Sequence, residues 1–285
     1  MIKQLQQDYT QALKDSGKAQ ATLLAYSKDV EQFCEFLIRR NKTDPKQVVA
    51  DDFNDYKEEL EVLRYSDKSI SRKLNSLKSF FRYLHDKKII SDNPVQQIVQ
   101  PRYKNAPPRV LTPVEYRALR DIVKKDRRMY AIIELLLQTG MRISELAELK
   151  IEDISLPKKQ IFIAAQNSHD SRVVPLNNAA VAAIKDYSQI RPRTKERTFF
   201  LTKSCRPFLV RNIRSAIDRY FKLAGIKDAK VNDLRHTFIY QQLIAGVPLV
   251  TVSKIVGHKR LSTTERYLQL IDLADMHQDV QIREL

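Results

Sequence analysis

The sequence predicts a mainly α protein. An all-helical N-terminal domain is followed by a mixed α/β domain carrying a small antiparallel sheet. Three observations predict it. Apolar residues recur three and four positions apart over most of the chain, as one face of a helix requires. Three short runs near the middle alternate or are continuously apolar and are separated by turn residues. A proline-rich stretch divides the 285 residues into two segments, each long enough for its own core.

Leu23, Tyr26, Val30, Phe33 and Leu37 put one apolar face on residues Ala21–Arg40. Ile70, Leu74, Leu77, Phe81 and Leu84 do the same for Asp67–Lys88. That second helix carries Lys68, Arg72, Lys73, Lys78, Arg82, Lys87 and Lys88 against only Asp67 and Asp86. Pro94, Pro101, Pro107, Pro108 and Pro113 then disfavour helix and remove donors. The expected organisation is a helical domain over 1–103, a linker over 104–112 and a second domain over 113–285. In the latter, Tyr130–Gln138 reads as a helix stopped by Thr139-Gly140, with another starting at Ile143. Ile154–Leu156, Ile161–Ala164 and Arg172–Leu176 read as strands. Further helices are expected at Ala179–Ser188, Val210–Ala224, Leu234–Ala245, Leu249–Val256 and Ser262–Ala274.

Composition narrows the function. The formal charge is +16, with 20 basic and 15 acidic residues through position 110 and 30 against 19 after it. Such an excess points to an anionic partner, nucleic acid first. No apolar run reaches the ~18–20 residues of a membrane span. The N-terminus lacks the apolar core of a signal peptide. Cys34 and Cys205 form neither a disulfide framework nor a metal cluster. A reducing cytoplasm is the expected location. On the basic helix, Arg72, Lys73, Lys78 and Arg82 are the expected phosphate contacts.

Four local patterns carry chemistry: Thr139-Gly140-Met141-Arg142-Ile143-Ser144-Glu145-Leu146, Leu234-Arg235-His236-Thr237, Val256-Gly257-His258 and Ser262-Thr263-Thr264-Glu265-Arg266-Tyr267. Arg142 and Arg235 are permanently charged, planar donors able to grip two phosphate oxygens. His258 can donate to a phosphate oxygen or assist proton transfer. Tyr267 offers a phenol oxygen that attacks once its proton is taken.

Together these patterns resemble the tyrosine recombinase (phage integrase) family, over most of the chain. The resemblance implies a core-binding and a catalytic domain closing as a clamp on DNA. It implies that Tyr267 attacks a phosphodiester, forming a 3′-phosphotyrosine and releasing a 5′-hydroxyl. Strands would then be exchanged through a Holliday junction. No ATP, metal or other cofactor is implied. The implied partners are a double-stranded recombination site and other copies of the chain, as a tetramer in synapsis and a monomer or dimer off DNA. Glu145 is implied to orient Arg142. The apolar residues after Tyr267, namely Leu270, Ile271, Leu273 and Met276, either dock on a neighbouring copy or pack on their own domain.

Two positions depart from the family. Its usual His three residues before the second Arg is here Asn232, which can hydrogen-bond a phosphate but cannot carry a proton. The family lysine expected before Val174-Pro175-Leu176 is missing from the turn Ala165–Arg172. Lys158, Lys159, His169, Arg172 and Lys203 are the candidates for its role as acid. These departures, and the absence of an added arm-binding domain, lean towards a mobile-element resolvase or integrase. A non-catalytic DNA-binding protein and a type IB topoisomerase-like nicking-closing enzyme are the rivals.

Overall fold

The computed structural model describes residues 1–18, 20–101, 106–166 and 169–271, and the chain divides into units Met1–Asn105 and Ala106–Leu285. The first unit is built from α1 (Ile2–Asp15), α2 (Gln20–Arg39), α3 (Ala50–Val62) and α4 (Asp67–Asp86). The apolar face read on α2 and α4 is its core: Val30, Phe33, Leu37, Ile70, Leu74, Leu77, Phe81 and Leu84 are wholly buried. Phe33 stacks on Phe53 of α3 at 4.7 Å and meets the edge of Phe81. Each such side chain contributes about 1.5–3 kcal/mol through burial. Side chains start the helices: Ser66 accepts the Ser69 N–H ahead of α4, and Asp52 accepts the Val49 N–H ahead of α3.

One of the expected phosphate contacts is corrected here. Lys73 is 3% exposed, and its ammonium binds Asp29 Oδ1 at 3.2 Å and the Gln32 side chain. It stands on the same helical face as Ile70 and Leu77, so it points into the unit. Asp29 is itself buried and also accepts from Arg72 and, at 2.8 Å, from the Ser76 hydroxyl. Lys73 is therefore a structural cation. Arg72 is bound to Asp29 but half exposed, Lys78 is half-buried and reaches the Ile98 carbonyl at 3.5 Å, and Arg82 is exposed.

The second unit runs α5 (Pro113–Val123), α6 (Arg127–Thr139), α7 (Ile143–Glu148), β1 (Ile154–Ser155), β2 (Gln160–Ile163), β3 (Arg172–Pro175), α8 (Asn178–Ile190), α9 (Val210–Leu223), α10 (Val231–Ile244), α11 (Leu249–Val256) and α12 (Ser262–Glu265). Residues 106–112 of the expected linker belong to this unit. Leu111 is 1% exposed and its N–H donates to Thr237 Oγ1 at 2.8 Å. Thr112 caps α5, with Pro113 in the first turn where no N–H is needed. The strands form one antiparallel sheet in the order β1-β2-β3, with Ile161 opposite both Ile154 and Val174. Ile161, Ile163 and Val174 face the core, while Phe162 and Val173 pair on the outer face, about half exposed.

The last helix is shorter than the periodicity suggests. α12 spans four residues, and Leu268–Leu270 forms a separate 3-10 turn. Leu270 and Ile271 pack against Phe238, Val252 and Tyr267 of their own unit. Leu273, Met276 and the rest of the tail lie outside the described residues. No described helix is long and apolar enough to cross a membrane.

Asp29→Ala should leave the Lys73 charge buried without its carboxylate and destabilise the full chain by about 3–5 kcal/mol in urea unfolding. Adding Lys73→Met should recover much of that loss. Equal stability of wild type and Asp29→Ala would remove the ion cluster from the core account.

Candidate active site

α11 ends in a left-handed cap. Gly257 adopts φ 69°, which brings the His258 N–H onto the Ser253 carbonyl and its own N–H onto that of Lys254. The three carbonyls that follow each receive an arginine. Ile255 accepts from Arg172 Nε at 2.7 Å, Val256 from Arg235 Nη2 at 2.7 Å and Gly257 from Arg142 Nη2 at 2.8 Å. These arginines come from β3, α10 and the N-terminus of α7. The end of α11 is thus an anchor for three cations, the charge its dipole favours.

A second glycine works with it. Gly140 closes α6 at φ 62°, and its carbonyl accepts from Arg235 Nη1 at 2.5 Å. A Cβ there would collide with the Phe238 ring. The Thr-Gly helix stop read in the sequence therefore turns the chain into Arg142 and also holds Arg235.

Glu145 balances part of this charge. Its carboxylate takes Arg172 on both oxygens at 2.8 and 2.7 Å, Arg142 Nη1 at 2.9 Å and the Arg142 N–H at 2.7 Å. Burial opposes its ionisation, but the Arg172 bonds, the Arg142 N–H and both charges hold the carboxyl at about 2. Arg172 is only 9% exposed along its side chain and is committed to Glu145 and Ile255. Burial, then the neighbouring Arg142, pulls Arg235 down to about 9, still a cation at neutral pH.

His258 Nδ1 pairs with Thr264 Oγ1 at 2.8 Å. Burial and then the charges of Arg235 and Arg142 hold it down at about 3, so it is neutral before an anion arrives. Tyr267 is 3% exposed, and burial raises its phenol to about 12 against the pull of Arg235 and Arg266. Its Oη lies 2.6 Å from His236 Nδ1. The structure thus gathers Arg142, Arg235, His258 and Tyr267 in one place. Asn232 is exposed on the first turn of α10, one turn before Arg235.

The candidates for the acid separate by topology. Lys158 and Lys159 precede β2, and Lys159 Nζ is tied to Asn178. The turn carrying His169 follows β2 at its other end, about 13 Å along the strand. There His169 and Gln166 exchange backbone hydrogen bonds of 2.8 and 3.1 Å. Burial, then the charges of Arg142 and Lys259, lowers His169. Lys203 is exposed in the turn between Thr202 and Arg206. Sequence reading assigned no role to His236 or Thr264, which stood inside the patterns around Arg235 and Tyr267, nor to Lys259, which only follows His258. Among the described residues no group of His, Cys, Asp or Glu is placed to hold a metal ion.

Residues 109–273 match the phage integrase family, and residues 7–88 match the phage integrase N-terminal SAM-like domain. The chain belongs to the phage integrase family of tyrosine recombinases. It is 32% identical to a tyrosine recombinase of Pseudothermotoga lettingae over 255 residues, 88% of each chain. It is 30% identical to tyrosine recombinase XerC of Roseiflexus castenholzii, over 87% of this chain and 83% of that one. Among solved structures, XerA recombinase matches over the full length of both chains at 27% identity with a TM-score of 0.57. The Tn1549 transposon integrase bound to transposon right end DNA shares the fold with a TM-score of 0.77, at 20% identity and covering 92% and 94% of the two chains.

The sign of the Glu145 effect is fixed by its lowered value. A carboxyl at about 2 in the folded chain and near its ordinary 4.5 when unfolded adds stability above pH 4.5. That contribution, about 3 kcal/mol, is lost as pH falls from 4.5 towards 2. Glu145→Gln should lower stability at pH 7 and flatten this acid limb. An unchanged limb in thermal melts from pH 7 to 3 would contradict the assignment.

Proposed function

We propose that the protein is a site-specific DNA recombinase that cuts and rejoins double-stranded DNA through a 3′-phosphotyrosine on Tyr267. One observation carries this reading: three guanidiniums anchored on the end of α11, Arg235 buried and Arg142 and Arg172 partly so, with the Glu145 carboxylate between Arg142 and Arg172, beside a buried tyrosine. Such a cluster of cations favours an anion, and a phosphodiester offers two oxygens for a planar donor to grip.

Each side chain then has a task. Arg142 and Arg235 hold the non-bridging oxygens and stabilise the charge that builds there as the phosphorus becomes five-coordinate. Arg172 fixes Glu145, and Glu145 fixes Arg142. Nδ1 of His258 is held by Thr264, so the phosphate contact falls to Nε2, and an anion raises its proton affinity. Tyr267 Oη attacks phosphorus and the bond to O5′ breaks. The ester keeps the bond energy, so a 5′-hydroxyl from a partner strand can reverse the step. Asn232 contributes at most a hydrogen bond.

The leaving O5′ needs a proton. His169 feels the charges of both Arg142 and Lys259, and we assign the acid to Lys259 because burial and Arg142 lower His169. Arg72, Lys78 and Arg82 contact backbone phosphates from the first unit, as a core-binding domain over 1–103 would; residues 113–285 form the catalytic domain. Strand exchange in a tetramer through a Holliday junction extends the reading. It draws on the λ integrase solved as a dimer on a core site and as a tetramer on a Holliday junction. The cellular role we favour is resolution or integration of a mobile element in the cytoplasm, supported by Asn232 and the lysine-free turn.

A suicide substrate nicked near the cleavage site tests the reaction. The wild type should form a covalent adduct, and Tyr267→Phe should bind DNA with no adduct. An adduct on the Phe variant rules Tyr267 out, and no adduct from the wild type leaves a DNA-binding protein. Religation without recombinant joints would favour a nicking-closing enzyme. A 5′-bridging phosphorothiolate, whose sulfur leaves without protonation, identifies the acid. Lys259→Ala should lose about 10²–10⁴-fold on ordinary DNA and recover on the phosphorothiolate. Rescue confined to His169→Ala would transfer the role to His169.

A further inference from the structure

His236 follows Arg235 on α10, and none of the tasks above uses it. Its Nδ1 lies 2.6 Å from Tyr267 Oη, with the ring centroids 5.7 Å apart and the planes tilted by 46°. Tyr267 is packed among Phe238, Val252, Val256, Leu270 and Ile271, so bulk water does not serve its hydroxyl. A phenol raised to about 12 is ionised in roughly one molecule in 10⁵ at pH 7. Attack on phosphorus therefore needs an acceptor within hydrogen-bond reach.

The acceptor placed on the phenol is His236 Nδ1. The arginines have no lone pair to offer, and Asn232 cannot retain a proton. Nδ1 of His258 is already paired with Thr264. His236 is held below its ordinary range by burial, opposed by Asp233 and assisted by Arg235 and Arg266, so it is neutral at pH 7. With its own proton on Nε2, its Nδ1 lone pair faces the phenol. Asp233, three residues earlier on α10, is placed to favour the imidazolium once it forms; it also accepts the Lys230 N–H at 2.8 Å and lies 3.7 Å from Arg109.

We propose that His236 is the catalytic base of strand cleavage: Nδ1 takes the Oη proton of Tyr267 as Oη bonds to phosphorus and the P–O5′ bond breaks. The leaving oxygen receives a different proton, from the acid on the far side of the phosphate. In rejoining, the incoming 5′-hydroxyl returns a proton to that acid, and His236 gives its proton back to Tyr267. Protons and charge balance over the cycle. The inference rests on the recombinase reading given under Proposed function.

The test uses the full chain, the nicked substrate and single-turnover adduct formation from pH 6 to 9. His236→Asn keeps an oxygen acceptor near Tyr267 but cannot hold a proton. It should bind the site and melt as the wild type does, yet form adduct about 10²–10⁴-fold more slowly. Its rate should climb tenfold per pH unit as hydroxide replaces the base. A ring-fluorinated tyrosine at position 267, with a more acidic phenol, should restore most of the His236→Asn rate and none of the loss in Arg235→Lys. His236→Gln, measured in the same way, stands in if the Asn variant melts early. Adduct at the wild-type rate in the variant overturns this inference alone. A slow variant with a flat pH profile and no rescue overturns it too, leaving His236 a positioning residue. No adduct from the wild type overturns the recombinase reading with it.

Discussion

Helix α11 ends with carbonyls that no further turn can satisfy, and the site depends on what satisfies them. The cap at Gly257 takes the carbonyls of Ser253 and Lys254, and three arginines from three other elements take the next three. A helix C-terminus offers partial negative charge in a fixed direction, so the guanidiniums are ordered before any ligand arrives. Ordering them in advance lowers the reorganisation that a developing negative charge would otherwise demand. The arrangement has a cost. Glu145 binds only two of the three cations, and Arg235 is drawn down to about 9 by its own burial and by Arg142. A bound phosphate relieves that repulsion, so an anionic ligand should stabilise this unit beyond what its contacts with water-exposed lysines would give.

Much of the scaffold was legible because helical spacing reports burial directly. The α2 and α4 faces, the Thr139-Gly140 stop and the three strands all follow from periodicity and turn residues. α1 and α3 lay within the helical N-terminal segment but carried no bounds. α5 was hidden by Pro113, which marks the first turn of a helix as readily as a linker. The last helix was overextended because Leu268, Leu270 and Ile271 continue an apolar pattern, while Thr264 is drawn in to hold His258 and the chain tightens into a 3-10 turn after Tyr267.

The site was legible as residue types and illegible as connections. Arg142, Arg235, His258 and Tyr267 stand in recognisable flanks. Nothing local shows that Ile255, Val256 and Gly257 hold the arginines, because a carbonyl has no residue identity. Lys73 illustrates the same gap from the other side. Its position between Ile70 and Leu77 marked it for the buried face, but its partner Asp29 lies on another helix and left no local trace. Arg172 stood among the candidate acids on sequence grounds. Its bidentate hold on Glu145 makes it part of the frame instead.

The most direct measurement is a crystal structure of the full chain trapped covalently on a nicked recombination site. A phosphodiester link to Tyr267 is expected, with Arg142 and Arg235 on its two non-bridging oxygens and still bound to the carbonyls of Gly257, Val256 and Gly140. Arg172 should remain on Glu145. A phosphate linked to another residue, or one lying away from the end of α11, would contradict it.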